Sequence, residues 1–370
     1  MSRLHELISA FCPNGVAFKK LEDLLQYEQP NKYLVSSTDY HEGYPTPVLT
    51  AGQTFILGYT DETTGIYKAS DLNPVIIFDD FTTAFKWVDF PFKAKSSAMK
   101  MITRKSELLE SLRYAFYAMQ TITYAPQDHA RQWLGTVSKL QIPVPPLEVQ
   151  REIVKILDKF TQLEAELEAE LEARRRQYKY YRDALLNMKK RKDVNQVPLG
   201  EAAVFHRGTA ITKKETVEGQ IPVVANGPSP ISTHNTSNRD GETVVVARSG
   251  AYAGYVSFWN QPIFLTDAFS VQPNPEILSP KFLYHLLRSK QDLIHSMKQG
   301  SGVPHVRVKD FESYTIPVPS IEEQERIVAV LDKFDALVND ISTGLPAEIK
   351  ARRQQYEHYR DRLLTFKEAA

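Results

Sequence analysis

Residues 142–160 read IPVPPLEVQREIVKILDKF and residues 316–334 read IPVPSIEEQERIVAVLDKF, so the chain contains one stretch twice. Aligned without gaps, 12 of the 19 positions are identical. Two unrelated helices that share only a helix-forming composition would not agree this often. The chain therefore carries an internal duplication.

The duplication extends beyond this stretch. Residues 173–186, ARRRQYKYYRDALL, return as ARRQQYEHYRDRLL at 351–364, with 10 of 14 positions identical. Four residues have been added inside the second copy, which is about one helical turn. Upstream, PVLTAG (47–52) faintly matches PVVANG (222–227). We expect the duplication to span the whole chain, with the helical parts kept similar and the globular parts diverged.

The repeated stretches have the apolar spacing of helices. Apolar residues recur at intervals of three and four in both copies, which predicts a seam between packed helices. The seam of the first copy contains Ile153, Ile156, Phe160, Leu163, Leu167, Leu171, Tyr178, Tyr181 and Leu185. The seam of the second copy contains Ile327, Val330, Phe334, Leu337 and Ile341.

The ends of these helices can also be predicted. Residues 148–188 should form one helix of about 60 Å, at 1.5 Å per residue. Ser320 and Glu323 form a capping box at the start of the second copy. Gly344 and Pro346 should break or bend the second helix.

Short β-runs and amphipathic helices fill the rest of the chain. The runs PVIIF (74–78), TVVVARS (243–249) and GYVSFW (254–259) predict strands, and residues 105–120 and 279–297 predict helices. The predicted fold is α+β: two globular domains are held apart by two long antiparallel helices in a coiled coil, with a pseudo-two-fold internal repeat. Its segments are globular domain 1 (1–141), helix 1 (142–192), globular domain 2 (193–315) and helix 2 (316–370).

Composition limits the classes of function. The 370 residues include 45 basic and 45 acidic side chains, so any contact with nucleic acid must be regional. No apolar run is long enough for a membrane span, and the N-terminal sequence does not read as a signal peptide, so we expect a cytoplasmic protein. Cys12 is the only cysteine, which excludes an internal disulfide framework.

Motifs for catalysis are missing from the sequence. It contains no G-x-x-x-x-G-K-[ST] phosphate loop, no G-x-G-x-x-G fingerprint, no H-E-x-x-H and no G-x-S-x-G. The nine histidines lack the spacing of metal ligands. These absences argue against a phosphate-loop ATPase and favour ordinary surface or half-buried roles for the histidines over metal ligation.

The duplicated stretches resemble the conserved regions of type I restriction-modification specificity subunits. The resemblance extends to VPLGEAAVFHRGTAITKKE (197–215), VVVARSGAYAG (244–254) and GSGVPHVRVKDFESYTIPVP (300–319), which are similar to parts of that family's target recognition domains. Domain 1 is the weaker match. There VIIFDDFTTAFKW (75–87) replaces the usual glycine-containing strand, and YAPQDHARQWLG (124–135) replaces G-S-G-V-P-H.

This resemblance implies a function. Each target recognition domain would bind one half of a bipartite, asymmetric sequence in double-stranded DNA. The helices would set the spacer and dock two methyltransferase subunits, to which restriction subunits attach. The chain itself would perform no chemistry and hold no metal or cofactor, because S-adenosylmethionine, ATP and Mg²⁺ would belong to those partners. Two alternatives stay open: a coiled-coil scaffold that joins two proteins without binding DNA, and an enzyme with an unrecognised site.

Candidate site residues follow from charge, polarity and position in loops after strands. For DNA contact in domain 2 they are Lys213, Lys214, Arg239, Arg248, Ser249, His305, Arg307 and Lys309. For DNA contact in domain 1 they are Lys93, Lys95, Lys100, Gln127, His129, Arg131 and Gln132. For the coil or for partner binding they are Phe160, Leu163, Tyr178, Tyr181, Phe334, Leu337, Tyr356 and Tyr359. Trp87 and Trp133 are expected in the core.

Overall fold

A computed structural model of the chain describes residues 2–52, 54–126, 130–189, 191–212, 214–298 and 304–369. The chain divides into two compact units. The first unit contains the residues up to Glu166 and those from Ile349 onward, and the second contains Leu167–Glu348. We refer to them as the first and second units.

The first unit begins with a helix and continues as a mixed α+β domain. Its elements before the long helix are α1 (Ser2–Phe11), β1 (Ala17–Lys20), α2 (Leu21–Leu24), β2 (Leu25–Glu28), β3 (Thr46–Leu49), β4 (Ile56–Thr60), β5 (Val75–Asp79), β6 (Phe85–Val88), β7 (Lys93–Ala94), β8 (Met99–Arg104), α3 (Leu112–Met119), α4 (Gln132–Gly135) and β9 (Gln141–Val144). Short 3₁₀ turns cover Pro30–Tyr33 and Val137–Lys139.

The helix α5 (Leu147–Leu186) starts in the first unit and ends in the second. After it follow β10 (Asn195–Pro198), α6 (Leu199–Ala202), β11 (Ala203–Arg207), β12 (Ile221–Val224), β13 (Ser232–His234), β14 (Glu242–Ala247), β15 (Val256–Asn260), β16 (Phe264–Leu265), β17 (Ala268–Pro273), α7 (Pro280–Ser289), α8 (Gln291–Ser296), α9 (Val308–Glu312), β18 (Thr315–Val318), α10 (Ile321–Asn339) and α11 (Leu345–Leu364).

The two units repeat one sheet topology. The first unit has sheets with strand orders β2-β8-β5-β6, β4-β3-β7 and β1-β9, and the second has β11-β17-β14-β15, β13-β12-β16 and β10-β18. The faint match between residues 47–52 and 222–227 falls on equivalent strands, since β3 and β12 each pair with one antiparallel and one parallel neighbour. The predicted duplication of the globular parts is confirmed.

A buried glutamine ties each repeated helix start to its domain. Gln150 is fully buried, and its Nε2 donates to the carbonyl oxygens of Leu108 and Pro145 at 2.8 and 2.7 Å. Its Oε1 accepts from the backbone N–H of Glu110 at 2.9 Å. Gln324 is also fully buried and makes the corresponding three bonds, to Ile277 O, Pro319 O and Ser279 N. Each glutamine satisfies three backbone groups that would otherwise be buried without partners.

Helix–helix packing is visible within each unit, and in the first unit its contacts show that the helices are antiparallel. In the first unit the rings of Phe160 and Tyr359 stack with centroids 5.4 Å apart, and Glu164 pairs with Arg353. As the residue number rises along α5, it falls along α11. In the second unit the ring of Phe334 on α10 stacks on both Tyr178 and Tyr181 of α5.

The helix seam differs from the predicted one in α10. Ile327, Leu331 and Val338 are buried, whereas Leu337 is 38% exposed and Ile341 is 81% exposed. The prediction was therefore wrong for Leu337 in α10, and also for Ile341, which lies in the turn beyond the end of α10 at Asn339. The sequence pattern repeats every 3.5 residues, but a straight helix packed on a globular core follows about 3.6, so the buried stripe drifts away from a heptad.

The predicted interruption of the second helix is confirmed. The helix α10 ends at Asn339 and α11 begins at Leu345, so the chain breaks where Gly344 lies. A Cβ atom at Gly344 would approach the carbonyl oxygen of Ala336 to 2.4 Å, which excludes any larger residue from this turn. The first copy has no such turn and forms one helix of 40 residues.

Candidate nucleic-acid interface

Basic side chains of the second unit line an open cavity of about 530 Å³. Arg207 ends β11, Arg248 directly follows β14, and three further residues come from the segment before α9 and from its first turn. These three are His305, Arg307 and Lys309. The cavity therefore collects charge from three separate parts of the chain, and we call these five residues the basic cluster.

Backbone hydrogen bonds bring these parts of the chain together. The N–H of Val306 donates to the carbonyl oxygen of Arg248 at 2.9 Å, and Ser249 forms an isolated antiparallel bridge with His305. The N–H of Arg248 donates to the carbonyl oxygen of Asp267 at 3.4 Å. The geometry of the cluster is therefore set by the main chain at the end of the central strand pair β14 and β17.

The charges in the cluster are not consumed by internal ion pairs. Arg207, Arg248, Arg307 and Lys309 are exposed, and none of the four side chains pairs with an acidic group elsewhere in the described part of the chain. In a chain with no net charge, four such cations around one cavity produce a local positive potential. Guanidinium groups in this setting can contact phosphate oxygens or the O6 and N7 atoms of guanine.

A polar constellation stands beside the basic cluster. Asp267 is exposed, and its Oδ2 accepts hydrogen bonds from the Ser249 hydroxyl and, at 3.4 Å, from the Asn226 amide. Within the described ranges no lysine, arginine or histidine pairs with this carboxylate, and no donor reaches its Oδ1. Asp267 therefore has no internal ionic partner in the described ranges, and its Oδ1 is a free acceptor atom.

Both halves of the chain match one family. The family model described as the type I restriction modification DNA specificity domain matches residues 13–173 and again residues 191–351, which together make up most of the chain. This chain belongs to the type I restriction-modification specificity family. The two matched ranges are its two specificity domains, and they agree with the duplication of sheets and helix starts.

Similar proteins carry the same description. The chain is 43% identical to the specificity subunit of the EcoR124I/EcoR124II type I restriction enzyme of Escherichia coli, with 99% of this chain and 97% of the relative covered. It is 28% identical to a putative type I restriction enzyme specificity subunit of Haemophilus influenzae, over 85% of this chain and 86% of the relative.

A solved structure supports the fold. The S subunit of a type I restriction-modification system from M. genitalium aligns with a TM-score of 0.66 at 16% identity, and covers 94% of this chain and 96% of that one. At this identity the likeness concerns the fold alone. Within the described ranges, no helix is long and apolar enough to cross a membrane, and no group of three or more acidic, histidine or cysteine side chains is arranged for a metal ion.

The second specificity domain brings half of its sequence-predicted residues together. Arg248, His305, Arg307 and Lys309 all belong to the basic cluster, and Ser249 is buried beside it. Lys214 is exposed but does not line the cavity. Lys213 lies outside the described residues.

Arg239 has an internal role instead. Its guanidinium donates to Ser270 Oγ at 2.7 Å and to the carbonyl oxygens of Asn238 and Arg207 at 2.5 and 2.9 Å. Burial lowers the pKa of this group. Arg239 therefore connects three segments of the domain, and we leave it out of the proposed interface.

The first specificity domain buries three of the five predicted residues that the structure describes, namely Lys93, Lys100 and Gln132. Lys100 is fully buried and pairs with Asp80 at 2.8 Å, and Lys93 pairs with Glu62 at 2.5 Å. Their ammonium groups are thus committed to internal carboxylates. The Lys93 ammonium is the largest cause of the lowered pKa of Glu62. We therefore leave Lys93 and Lys100 out of the proposed interface.

The other predicted residues of the first domain are divided. Gln132 is buried and accepts a hydrogen bond from the Tyr124 hydroxyl at 2.6 Å, so we leave it out as well. Lys95 donates to the Tyr40 hydroxyl at 3.1 Å, and Arg131 is exposed. Gln127 and His129 lie outside the described residues. Trp133 is buried, as predicted.

The predicted coil residues contact different neighbours. Tyr178 is buried against Phe334, and Tyr181 stacks on the same ring while 42% of its own surface stays exposed. Tyr356 donates its hydroxyl to Gln120 of the first specificity domain, so this tyrosine packs against the domain as well as against a helix. Leu163 is partly buried. Burial raises the pKa of Tyr356 to about 12.

Sequence reasoning missed three residues of the second site. Arg207 ends β11, and its positive charge beside the apolar residues of that strand was an available signal. Asn226 and Asp267 had no such signal, because neither charge nor motif connects them to Ser249 before the strands are paired. Strand register alone brings these two side chains to the edge of the basic cluster.

Proposed function

We propose that this chain selects the DNA sequence on which a type I restriction-modification enzyme acts. Each specificity domain binds one half of a bipartite, asymmetric target in double-stranded DNA. The observation that supports this most directly is the basic cluster, where four exposed cations without internal partners surround one cavity of the second domain. Such a surface suits a phosphate backbone and the acceptor-rich edge of guanine.

The repeated helix starts support two copies of one partner. Gln150 and Gln324 fix the two helix starts to their domains through the same three bonds. In both halves an aspartate of the repeated helix pairs with a basic residue and with one further donor, and both partners lie on the domain helix packed beside it. The two aspartates are Asp158 and Asp332. We propose that these matched surfaces dock two methyltransferase subunits, and that the helices set the length of the spacer between the half-sites.

The chain itself performs no chemistry in this proposal. The methyltransferase subunits use S-adenosylmethionine to modify adenine, and restriction subunits that attach through them use ATP and Mg²⁺. The complex works in the cytoplasm, where the genome is. This chain supplies the positions of its two half-site readers and the surfaces on which its partners assemble.

The test is modified-base sequencing of DNA from cells that express this chain together with a type I methyltransferase subunit. We expect a two-part motif with methyladenine in each half, on opposite strands. Cells that express the methyltransferase subunit alone provide the control and should show no such motif. A stable complex of the two proteins that leaves the genome unmodified would contradict the proposal and favour a scaffold that joins proteins without reading DNA.

A further inference from the structure

The Asp267 carboxylate is an unusual group for a surface that binds a polyanion. It lies at the start of β17, next to Arg248, and it is exposed. A free carboxylate repels phosphate, so a surface that served only to hold the DNA backbone would gain affinity without it. A hydrogen-bond donor on the nucleic acid would explain why a carboxylate lies beside the basic cluster.

The carboxylate is held in one orientation. Its Oδ2 accepts from Ser249 and Asn226, which follow strands of two different sheets, β14 and β12. The main chain around it is fixed as well, because Thr266 N donates to Val224 O at 2.9 Å and Arg248 N donates to Asp267 O. With Oδ2 occupied and the backbone fixed, the free Oδ1 is a preorganised acceptor.

The turn that follows Ser249 keeps these groups close. Gly250 has a φ of +80°, a conformation that glycine adopts readily and other residues rarely do. A Cβ atom at this position would approach the Asn226 amide nitrogen to 3.3 Å. Glycine here therefore lets the Ser249 turn and the Asn226 loop converge on the same carboxylate.

We propose that Asp267 determines specificity in the second half-site by accepting a hydrogen bond from the N4 amino group of a cytosine in the major groove. This inference rests on the proposed function. A carboxylate only accepts, and cytosine presents only its N4 donor in that groove. Adenine has the N7 acceptor beside its N6 amino group, which would repel the carboxylate. Ser249 and Asn226 are the positioning residues.

The experiment starts from the parent chain, with the modified-base sequencing described above. A bipartite motif from the parent chain establishes the proposed function independently of Asp267. The same measurement is then made with Asp267→Ala and with Asp267→Asn, each expressed with the methyltransferase subunit. Purified complexes are also compared for binding to duplexes that differ at one base pair.

We expect Asp267→Ala to relax one C·G position of one half-site and to leave every other position unchanged. Discrimination at that position should fall by about 5- to 150-fold, which corresponds to the loss of one good base contact. Asp267→Asn should shift the preference at the same position toward adenine, because an amide offers both an acceptor and a donor. The nearly isosteric Asn variant keeps the test decisive if the Ala variant fails to assemble.

Asp240→Ala is the matched control. Asp240 is also exposed and accepts from a serine hydroxyl, that of Ser237, at 2.9 Å, but it lies at the opposite end of β14. It should leave the motif unchanged. The proposal would be overturned by a parent motif that both Asp267 variants keep intact. It would also be overturned by relaxation of an A·T pair, or by an equal rise in affinity for all duplexes.

Discussion

The two specificity domains place side chains of opposite charge at the same position of one shared backbone fold. In the second domain, Val306 N donates to Arg248 O, and in the first, Gln132 N donates to Asp80 O at 2.8 Å. Asp80 therefore occupies the position of Arg248. An exposed cation in one domain corresponds to a buried anion in the other.

The neighbours of this position change with it. Strand register places Lys100 where the second domain has Phe269, since Phe78 pairs with Lys100 and Val246 pairs with Phe269. Trp133, directly after Gln132, occupies the position of Arg307. The first domain thus replaces exposed charge by a buried ion pair and a buried aromatic ring.

The constellation around Asp267 is replaced by apolar residues in the first domain. Its equivalents there, located by strand register and backbone hydrogen bonds, are Ala51, Phe81 and Ala98. Phe81 is 42% exposed on a turn that the Asp79 carboxylate holds through two backbone N–H groups. An aromatic ring offers no acceptor to a base amino group. We therefore expect the two half-sites of the proposed target to be read by different chemistry on a shared scaffold.

The largest effect should come from breaking the buried pair in the first domain. Lys100→Met removes the cation and leaves the Asp80 carboxylate 1% exposed, with the backbone N–H of Trp133 as its hydrogen-bond donor. The substitution should cost about 3 to 5 kcal/mol of the free energy of unfolding. Denaturant unfolding, followed by hydrogen exchange of β5 and β8, measures this loss within the first domain.

The double variant Asp80→Ala, Lys100→Met is the control for that prediction. It removes the stranded charge and should recover most of the lost stability, because replacing a buried ion pair by apolar groups is often nearly neutral. A loss below about 1 kcal/mol for Lys100→Met alone would contradict the comparison, since it would show that the ammonium contributes little to the domain.

The corresponding position in the second domain should affect binding rather than stability. Arg248→Ala removes an exposed guanidinium without internal partners and should change the free energy of unfolding by less than about 0.5 kcal/mol. DNA binding should weaken by about 1 to 3 kcal/mol. Titrations at several salt concentrations distinguish the contact: a base contact relaxes one position, and a phosphate contact lowers the salt slope by about one.

Arg239→Ala is the matched control for the Arg248→Ala experiment. Its guanidinium bonds to backbone carbonyl oxygens inside the domain, so its loss should destabilise the second domain. The assignment of the basic cluster would fail if Arg248→Ala bound every duplex as tightly as the parent chain at every salt concentration.

Much of the helical framework was predictable from sequence. The duplicated stretches locate both helix starts, the apolar spacing predicts the long helix α5, and Gly344 marks the break before α11. The burial of each seam residue was less predictable. The apolar spacing alone does not fix which face of the helix is buried, and Leu337 lies on the exposed side although its spacing fits the seam.

The grouping of the candidate residues differs between the domains. In the second domain four of the basic candidates, which follow β14 or lie in and just before α9, line one cavity. In the first domain the pairing of Lys100 with Asp80 depends on the register of β5 and β8. Nothing in the sequence distinguishes a lysine that will be buried beside a carboxylate from one that will face DNA.

The smallest effect should be a difference between the domains in how much their free energy of unfolding falls at acidic pH. His285 and Tyr117 occupy the same position on α7 and α3, relative to the N-cap residues Ser279 and Ser111, and each bonds to the aspartate of its repeated helix. Burial lowers the pKa of His285, and this outweighs the raising effect of Asp332. Burial raises the pKa of Tyr117, so that group does not titrate near neutrality.

Because the pKa of His285 is lower in the folded state, stability is complete above the unfolded pKa of about 6.5 and falls as the pH drops below it. The loss from this group is at most about 1.4 kcal/mol per pH unit. Three other charged groups face the His285 ring and change the pH range of this loss of stability without reversing its sign. They are Asp335, Lys281 and Asp332. Urea unfolding at pH 7.5 and 5.5 should show a smaller pH dependence in His285→Tyr, which carries the residue of the first domain. Equal pH dependence in the two chains would mean that the ring accepts a proton in the folded state.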